Sequence, residues 1–166
     1  MRSGGNGGIL KRTYNAKDVL GMNVNVQRLR PDAQLPRYGS AQAAGADLYA
    51  ALDAPLTLTP GQTALVPTGV AMAIPAGYVG LVFARSGLAC KRDLAPANKV
   101  GVIDSDYRGE IMVALHNHGA LPQTVEPGER IAQIALVPFL HAEFDAVAEL
   151  DATERGTGGF GSTGTK

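Results

Sequence analysis

From Val24 onward the chain alternates short apolar runs with Pro and Gly punctuation. Val24–Leu29 alternates in part. Ala64–Ile74 is one continuous run, held between Pro60-Gly61 and Pro75-Ala76-Gly77, and Gly80–Ala84 follows at once. Ile111–Leu115, Arg130–Phe139 and Ala142–Leu150 complete the series. Many short runs broken by turn residues predict an all-β fold, a jelly-roll-like barrel or sandwich. No long amphipathic helical period is present. One short internal helix is expected after Ser86, over Gly87–Lys91. Pro60-Gly61, Pro75-Ala76-Gly77 and Glu126-Pro127-Gly128 each precede a strand-like run. They read as type II turns, which need positive φ at their third residue, rather than as marks of an internal repeat.

The two ends differ from this texture. Residues 1–22 open with Gly4, Gly5, Gly7 and Gly8 and are expected to be a disordered extension. Residues 23–150 form the predicted β domain. Residues 151–166 carry the segment Arg155–Gly164, with five glycines and a single aromatic, Phe160. Such a segment cannot build a core, so it is either a loose tail or a lid that orders on a ligand.

Composition narrows the function. Trp is absent and aromatics make up 5% of the chain, so Val, Ile, Leu and Ala must fill the core. Fifteen basic residues balance fifteen acidic ones. That gives no footprint for polymeric nucleic acid, while a small phosphorylated ligand needs only a few placed cations. Cys90 is the only cysteine, so no intrachain disulfide forms, which fits a reducing compartment. No apolar run is long enough to span a membrane, and no apolar signal region opens the chain. A cytoplasmic protein is expected.

Five segments can carry chemistry. In the tail, glycine backbone amides can approach phosphate oxygens, Ser162 and Thr163 add hydroxyls, Arg155 adds charge, and Phe160 offers a flat face to a base. No Walker loop is present. Gly101–Glu110 reads as a strand, an acidic turn and a return strand. Asp104, expected to be partly exposed there, is either a turn residue or a carboxylate that orients or deprotonates a water. Arg85-Ser86-Gly87 sits between a strand and the short helix. It reads as an anion site, with Ser86 as the helix cap as the plainer alternative. Asp47 is a turn residue or an outer-shell partner of hydrated Mg²⁺. Gln133 lies inside a strand, as a buried amide satisfied by backbone. His116, His118 and His141 lack the spacing of a metal site and read as surface histidines. Cys90 has no local sign of a nucleophile.

Taken together and in order, these segments resemble the five motifs of the homotrimeric dUTPases. Ala44–Ala50 is similar to the first, Arg85–Ala89 to the second, and Asn98 with Gly101–Gly109 to the third. Gly128–Gln133 is similar to the fourth and Arg155–Gly164 to the fifth. The resemblance covers Val24 to Lys166. It implies a jelly-roll trimer with active sites shared between subunits, and hydrolysis of dUTP to dUMP and pyrophosphate with Mg²⁺, which removes dUTP and supplies dUMP for thymidine nucleotide synthesis. It further implies that Asp104 activates the water and contacts the sugar 3′-hydroxyl. Tyr107 would exclude a 2′-hydroxyl. Asn98, in a strand segment, would read uracil with backbone groups around Gly101, Val102, Ile103 and Met112. Arg85, Ser86 and Gly87 would meet the phosphates, with Gln133 near the α-phosphate and the water. Asp47 would stand near the metal through water. Arg155, Phe160, Gly161, Ser162 and Thr163 would form a lid on a neighbour's site. Three other readings are a dCTP deaminase, whose acidic and arginine pattern differs, a non-catalytic dUTP-binding signalling module, and a structural β-barrel scaffold with no ligand.

Overall fold

A computed structural model describes residues 21–159. The expectations for residues 1–20 and for Phe160, Gly161, Ser162 and Thr163 lie outside the described residues. The elements are β1 (Asn25–Arg28), β2 (Arg37–Tyr38), β3 (Ala46–Tyr49), β4 (Leu56–Leu58), β5 (Thr63–Pro67), β6 (Val70–Ala73), β7 (Tyr78–Phe83), α1 (Ser86–Arg92), β8 (Leu94–Pro96), β9 (Gly101–Ile103), β10 (Met112–Asn117), β11 (Gln123–Val125) and β12 (Arg130–Pro138). They pair into a five-stranded sheet, β2-β3-β12-β7-β9, a three-stranded sheet, β5-β10-β8, and two ribbons, β1-β6 and β11-β4. No sheet among the described residues closes into a barrel. The fold is the all-β, jelly-roll class that the pattern predicts.

The core draws on every sheet. Leu48 and Ile131 come from the five-stranded sheet, Val66, Leu94 and Leu115 from the three-stranded one, Leu58 and Val125 from one ribbon, and Met72 from the other. Alternation along β10 is clean: Val113, Leu115 and Asn117 point inward, while Met112, Ala114 and His116 face the other way. Asn117 is fully buried at the end of this strand. Its side-chain amide donates to the carbonyls of Leu58 (2.9 Å) and Leu121 (2.8 Å), and its oxygen accepts from Gly119 N–H (2.9 Å).

All three Pro/Gly segments are the expected turns. Gly61, Gly77 and Gly128 have φ of 75°, 82° and 75°. Each turn closes with an i+3 to i bond: Gln62 to Thr59, Tyr78 to Pro75, and Glu129 to Glu126.

Three expectations are corrected. The Ala64–Ile74 run is two strands, β5 and β6, broken at Thr68-Gly69, where Gly69 takes φ 69°. A Cβ on Gly69 would meet that of Ala33 at 2.7 Å, so the bend is also a close approach. Gly101–Glu110 is not a hairpin, because β9 pairs with β7 while β10 pairs with β5 and β8. Ala142–Leu150 forms no strand. Phe144 and Leu150 are 95% and 86% exposed, so apolar character there finds no surface to cover within the chain.

Candidate active site

The site begins with register. On β3, Ala46 and Leu48 enter the core, which turns Asp47 and Tyr49 to the opposite face of the sheet. Across the ladder Gln133 stands opposite Asp47 on one side and opposite Phe83 on the other. Arg37 stands opposite Asp47 from β2. Arg130 and Gln133 are three residues apart and would fall on opposite faces of a regular strand. A register shift between Arg130 and Ala132 returns Arg130 to the face of Asp47. Ile131 and Ala132, consecutive and both fully buried, are the inward side of this bulge.

The result is one carboxylate among arginines. Asp47 is 8% exposed. Its Oδ1 accepts from Arg85 Nε at 2.7 Å and its Oδ2 from Arg130 Nη1 at 3.2 Å. Together with Arg37, these arginines outnumber the carboxylate and leave a positive edge suited to phosphates. Gln133 lies beside it and donates from Nε2 to the Ala84 carbonyl at 2.9 Å, the backbone-satisfied amide that the sequence suggests. Gly45 makes room for it: a Cβ there would lie 2.5 Å from Gln133 Oε1. Helix α1 follows Arg85. Its cap residue is Arg85 in extended conformation, and no side chain caps it, so Ser86 is the first helical residue rather than the cap. Ser86 and Gly87 are exposed at this edge.

A second group lies elsewhere. A cleft of about 200 Å³ is lined by Leu65, Pro96, Asn98, Gly101, Val102, Ile103 and Met112, with Val82, Val113 and Ala114 behind them. Asn98 lies in the turn between β8 and β9, not in a strand. Turn residues can aim a side-chain amide into a cleft that strand residues only wall. Asp104 directly follows β9 and is exposed, not partly covered, because this end of β9 has no neighbour beyond β7. Its turn is tied by Tyr107 N–H to the Asp104 carbonyl (3.2 Å) and by Arg108 to the Ser105 carbonyl (2.7 Å). Tyr107 folds back over Gly109, with its hydroxyl donating to the Glu110 carbonyl at 3.0 Å.

Arg85 and the Asp104 turn do not meet in one chain. β7 and β9 run antiparallel with Val82 opposite Gly101 and Gly80 opposite Ile103. Arg85 therefore lies beyond one end of the pair and Asp104 beyond the other. At roughly 3.3 Å per residue they are about 20 Å apart along the strands. Gln133, level with Phe83 and two strands away from β9, is also out of reach of Asp104.

Among the described residues no cluster of three His, Cys, Asp or Glu side chains could hold a metal. Both oxygens of Asp47 are engaged by arginines, which leaves room for a water-bridged contact but not for a cage. The donor set fits Mg²⁺ carried on a polyphosphate, an ion that keeps most of its waters. The His116 and His118 rings stack edge to face with centroids 4.3 Å apart, and His116 Nδ1 bonds Thr63 Oγ1 at 2.7 Å. Among the described residues no helix is long and apolar enough to cross a membrane. In the sequence, Gly45 and Arg130 fall inside the first and fourth motif segments, but their contacts with Gln133 and Asp47 carry no local signal, because those partners are distant along the chain.

The sequence model of the dUTPase family matches residues 31–164. The deoxyuridine 5′-triphosphate nucleotidohydrolase of Desulfitobacterium hafniense is 53% identical over 146 residues, covering 86% of this chain and 97% of that protein. Its counterpart from Paraburkholderia phymatum is 48% identical over 144 residues, with the same shares covered. Among solved structures, the dUTPase of Staphylococcus bacteriophage 80alpha with dUpNHpp aligns at a TM-score of 0.80 and 30% identity, over 86% of this chain and 99% of that one. The dUTPase of S. aureus phage phi11, described as coordinating a structural Mg(II) ion, aligns at 0.72 and 25% identity, over 79% of this chain and 100% of that one. By the near-complete match of its motif-bearing region and by relatives half identical over most of its length, the chain belongs to the dUTPase family.

Proposed function

We propose that the chain hydrolyses dUTP to dUMP and pyrophosphate, with each active site completed between copies of a homotrimer. One observation carries the assembly: the phosphate-suited edge at Arg85 and the Asp104 turn stand about 20 Å apart along β7 and β9, too far to serve one nucleotide from one chain. The unburied apolar side chains of Phe144, Val147 and Leu150 support it, since such a stretch gains stability by covering a neighbour.

In this reading the cleft at Asn98, Gly101, Val102, Ile103 and Met112 takes the uracil. Backbone groups of β9 and the Asn98 amide read its polar edge, and Tyr107 walls the sugar so that a 2′-hydroxyl finds no space. A second copy's Arg85, Ser86 and Gly87 receive the phosphates. Asp104 holds the attacking water as its general base, which contributes about 10²–10⁴-fold. Gln133 orients the α-phosphate and that water. Arg155, Phe160, Gly161, Ser162 and Thr163, in residues 151–166, close over the triphosphate and exclude water, which raises the worth of each charge interaction. Mg²⁺, when bound to the triphosphate with Asp47 in its outer shell, neutralises charge that builds toward the leaving pyrophosphate.

Pyrophosphate release with Mg²⁺ from dUTP, dCTP, dTTP and UTP in parallel tests the reading. Release from dUTP alone supports both the base cleft and the sugar wall. Binding of dUTP without release would replace hydrolysis with the signalling-module reading, and ammonia from dCTP would replace it with deamination. The mass of the assembly in solution tests the trimer.

A further inference from the structure

Helix α1 contributes little to the core. It is seven residues long and buries only Leu88. A helix this short is not stable by itself, so its position must come from tertiary contacts. Its two ends are tied, the first through Asp47, to the adjacent residues Arg130 and Glu129 at the entry to β12. At the first end, Arg85 bonds Asp47, which also accepts from Arg130. At the last end, Arg92 bonds Glu129. Arg92 also donates to the Thr124 carbonyl and, from Nε, to Gln123 Oε1 at 3.1 Å. The other oxygen of Glu129 accepts from Glu126 N–H at 3.0 Å, and its carbonyl accepts from Ala50 N–H at 2.8 Å. A closed circuit results: Arg85, Asp47, Arg130, Glu129, Arg92 and back through the helix. Arg92 and Glu129 are 29% and 23% exposed, so the pair is partly shielded from solvent.

We infer that Arg92 and Glu129 are positioning residues for the phosphate edge: they fix the far end of α1 and thereby the placement of Arg85 and Ser86 at its near end. The inference rests on the reading of Arg85 and Ser86 as phosphate partners. Neither Arg92 nor Glu129 needs to touch the nucleotide. Loosening their pair lets α1 pivot about Leu88, and an arginine displaced by about 1 Å loses much of its grip on a transition state.

The test uses the full chain and two variants, Glu129→Gln and Arg92→Lys. Affinities for the imido analogue dUpNHpp and for deoxyuridine are measured calorimetrically, beside kcat and KM for dUTP and a melting curve. Both variants are expected to lower the ratio of dUpNHpp to deoxyuridine affinity about tenfold while deoxyuridine binding holds. Loss of both affinities together, or an unchanged ratio in folded variants, overturns the inference by making the pair merely structural or idle. Arg92→Lys retains the cation, so it decides the matter if Glu129→Gln does not fold. A wild-type protein that binds dUpNHpp no tighter than deoxyuridine overturns the phosphate reading itself, and the clamp with it.

Discussion

Gly45 and Gln133 share one space: a Cβ on residue 45 would lie 2.5 Å from Gln133 Oε1. The clash is with the end of a flexible side chain, so the amide can swing aside while the backbone stays in place. Gly45→Ala is therefore expected to cost only about 1 kcal/mol of stability. By turning Gln133 away from the Ala84 carbonyl, it should lower kcat/KM by roughly 10- to 10²-fold. A variant with wild-type kinetics would show that the amide's placement is immaterial.

Asp104→Asn keeps the shape of the turn, whose bonds are made by backbone groups of Asp104 and Ser105. Turnover is expected to fall by at least about 10²-fold while dUpNHpp binding persists. Rapid-quench measurement of dUMP formation reads the chemical step, and an unchanged rate removes Asp104 as the base.

Ending the chain after Glu154 removes Arg155, Phe160, Gly161, Ser162 and Thr163. Among the described residues, 155–159 add nothing to the packed core. The melting temperature should stay within a few degrees of wild type. The value of kcat/KM should drop by about tenfold or more as the site loses its cover. A truncated protein that fails to fold would make the tail structural.

Asn117→Leu should be costly for stability and nearly silent for chemistry. It strips partners from the carbonyls of Leu58 and Leu121 and from Gly119 N–H around a fully buried position. About 3 kcal/mol of destabilisation is expected in urea unfolding. A loss under about 1 kcal/mol would mean that water replaces the amide.

Arg30 binds Asp32 through Nε at 2.6 Å and Nη2 at 2.9 Å, and also reaches Asp53 at 2.5 Å. The paired guanidinium holds the Asp32 carboxyl below its usual range. A depressed carboxyl stabilises the fold above its unfolded value, about pH 4, and loses that contribution as pH falls through the folded value. The difference in urea midpoint between wild type and Asp32→Asn should be present at neutral pH and close below about pH 4. A difference constant across that window would place the effect elsewhere.

Much of this protein is written locally. Period-two apolar runs and Pro-Gly turns are properties of a few consecutive residues, so the sequence by itself determines an all-β chain, the three type II turns, a short helix near Gly87–Lys91, and the five segments that mark the family. What it leaves open depends on partners far along the chain. Ala64–Ile74 reads as one run because its apolar residues outweigh Pro67-Thr68-Gly69, and only packing shows that the chain bends there around Ala33. Ala142–Leu150 has the character of a strand without an edge in its own chain to join. Arg130 reaches Asp47 only because a bulge shifts β12 by one residue, and one residue is the difference between the two faces of a sheet. Asp104 and Arg85 sit at opposite ends of one strand pair because β9 joins β7 while β10 joins another sheet, a choice made by burial over the whole core. Side-chain pattern sets which residues turn inward. Only the packed structure decides which of the outward ones meet.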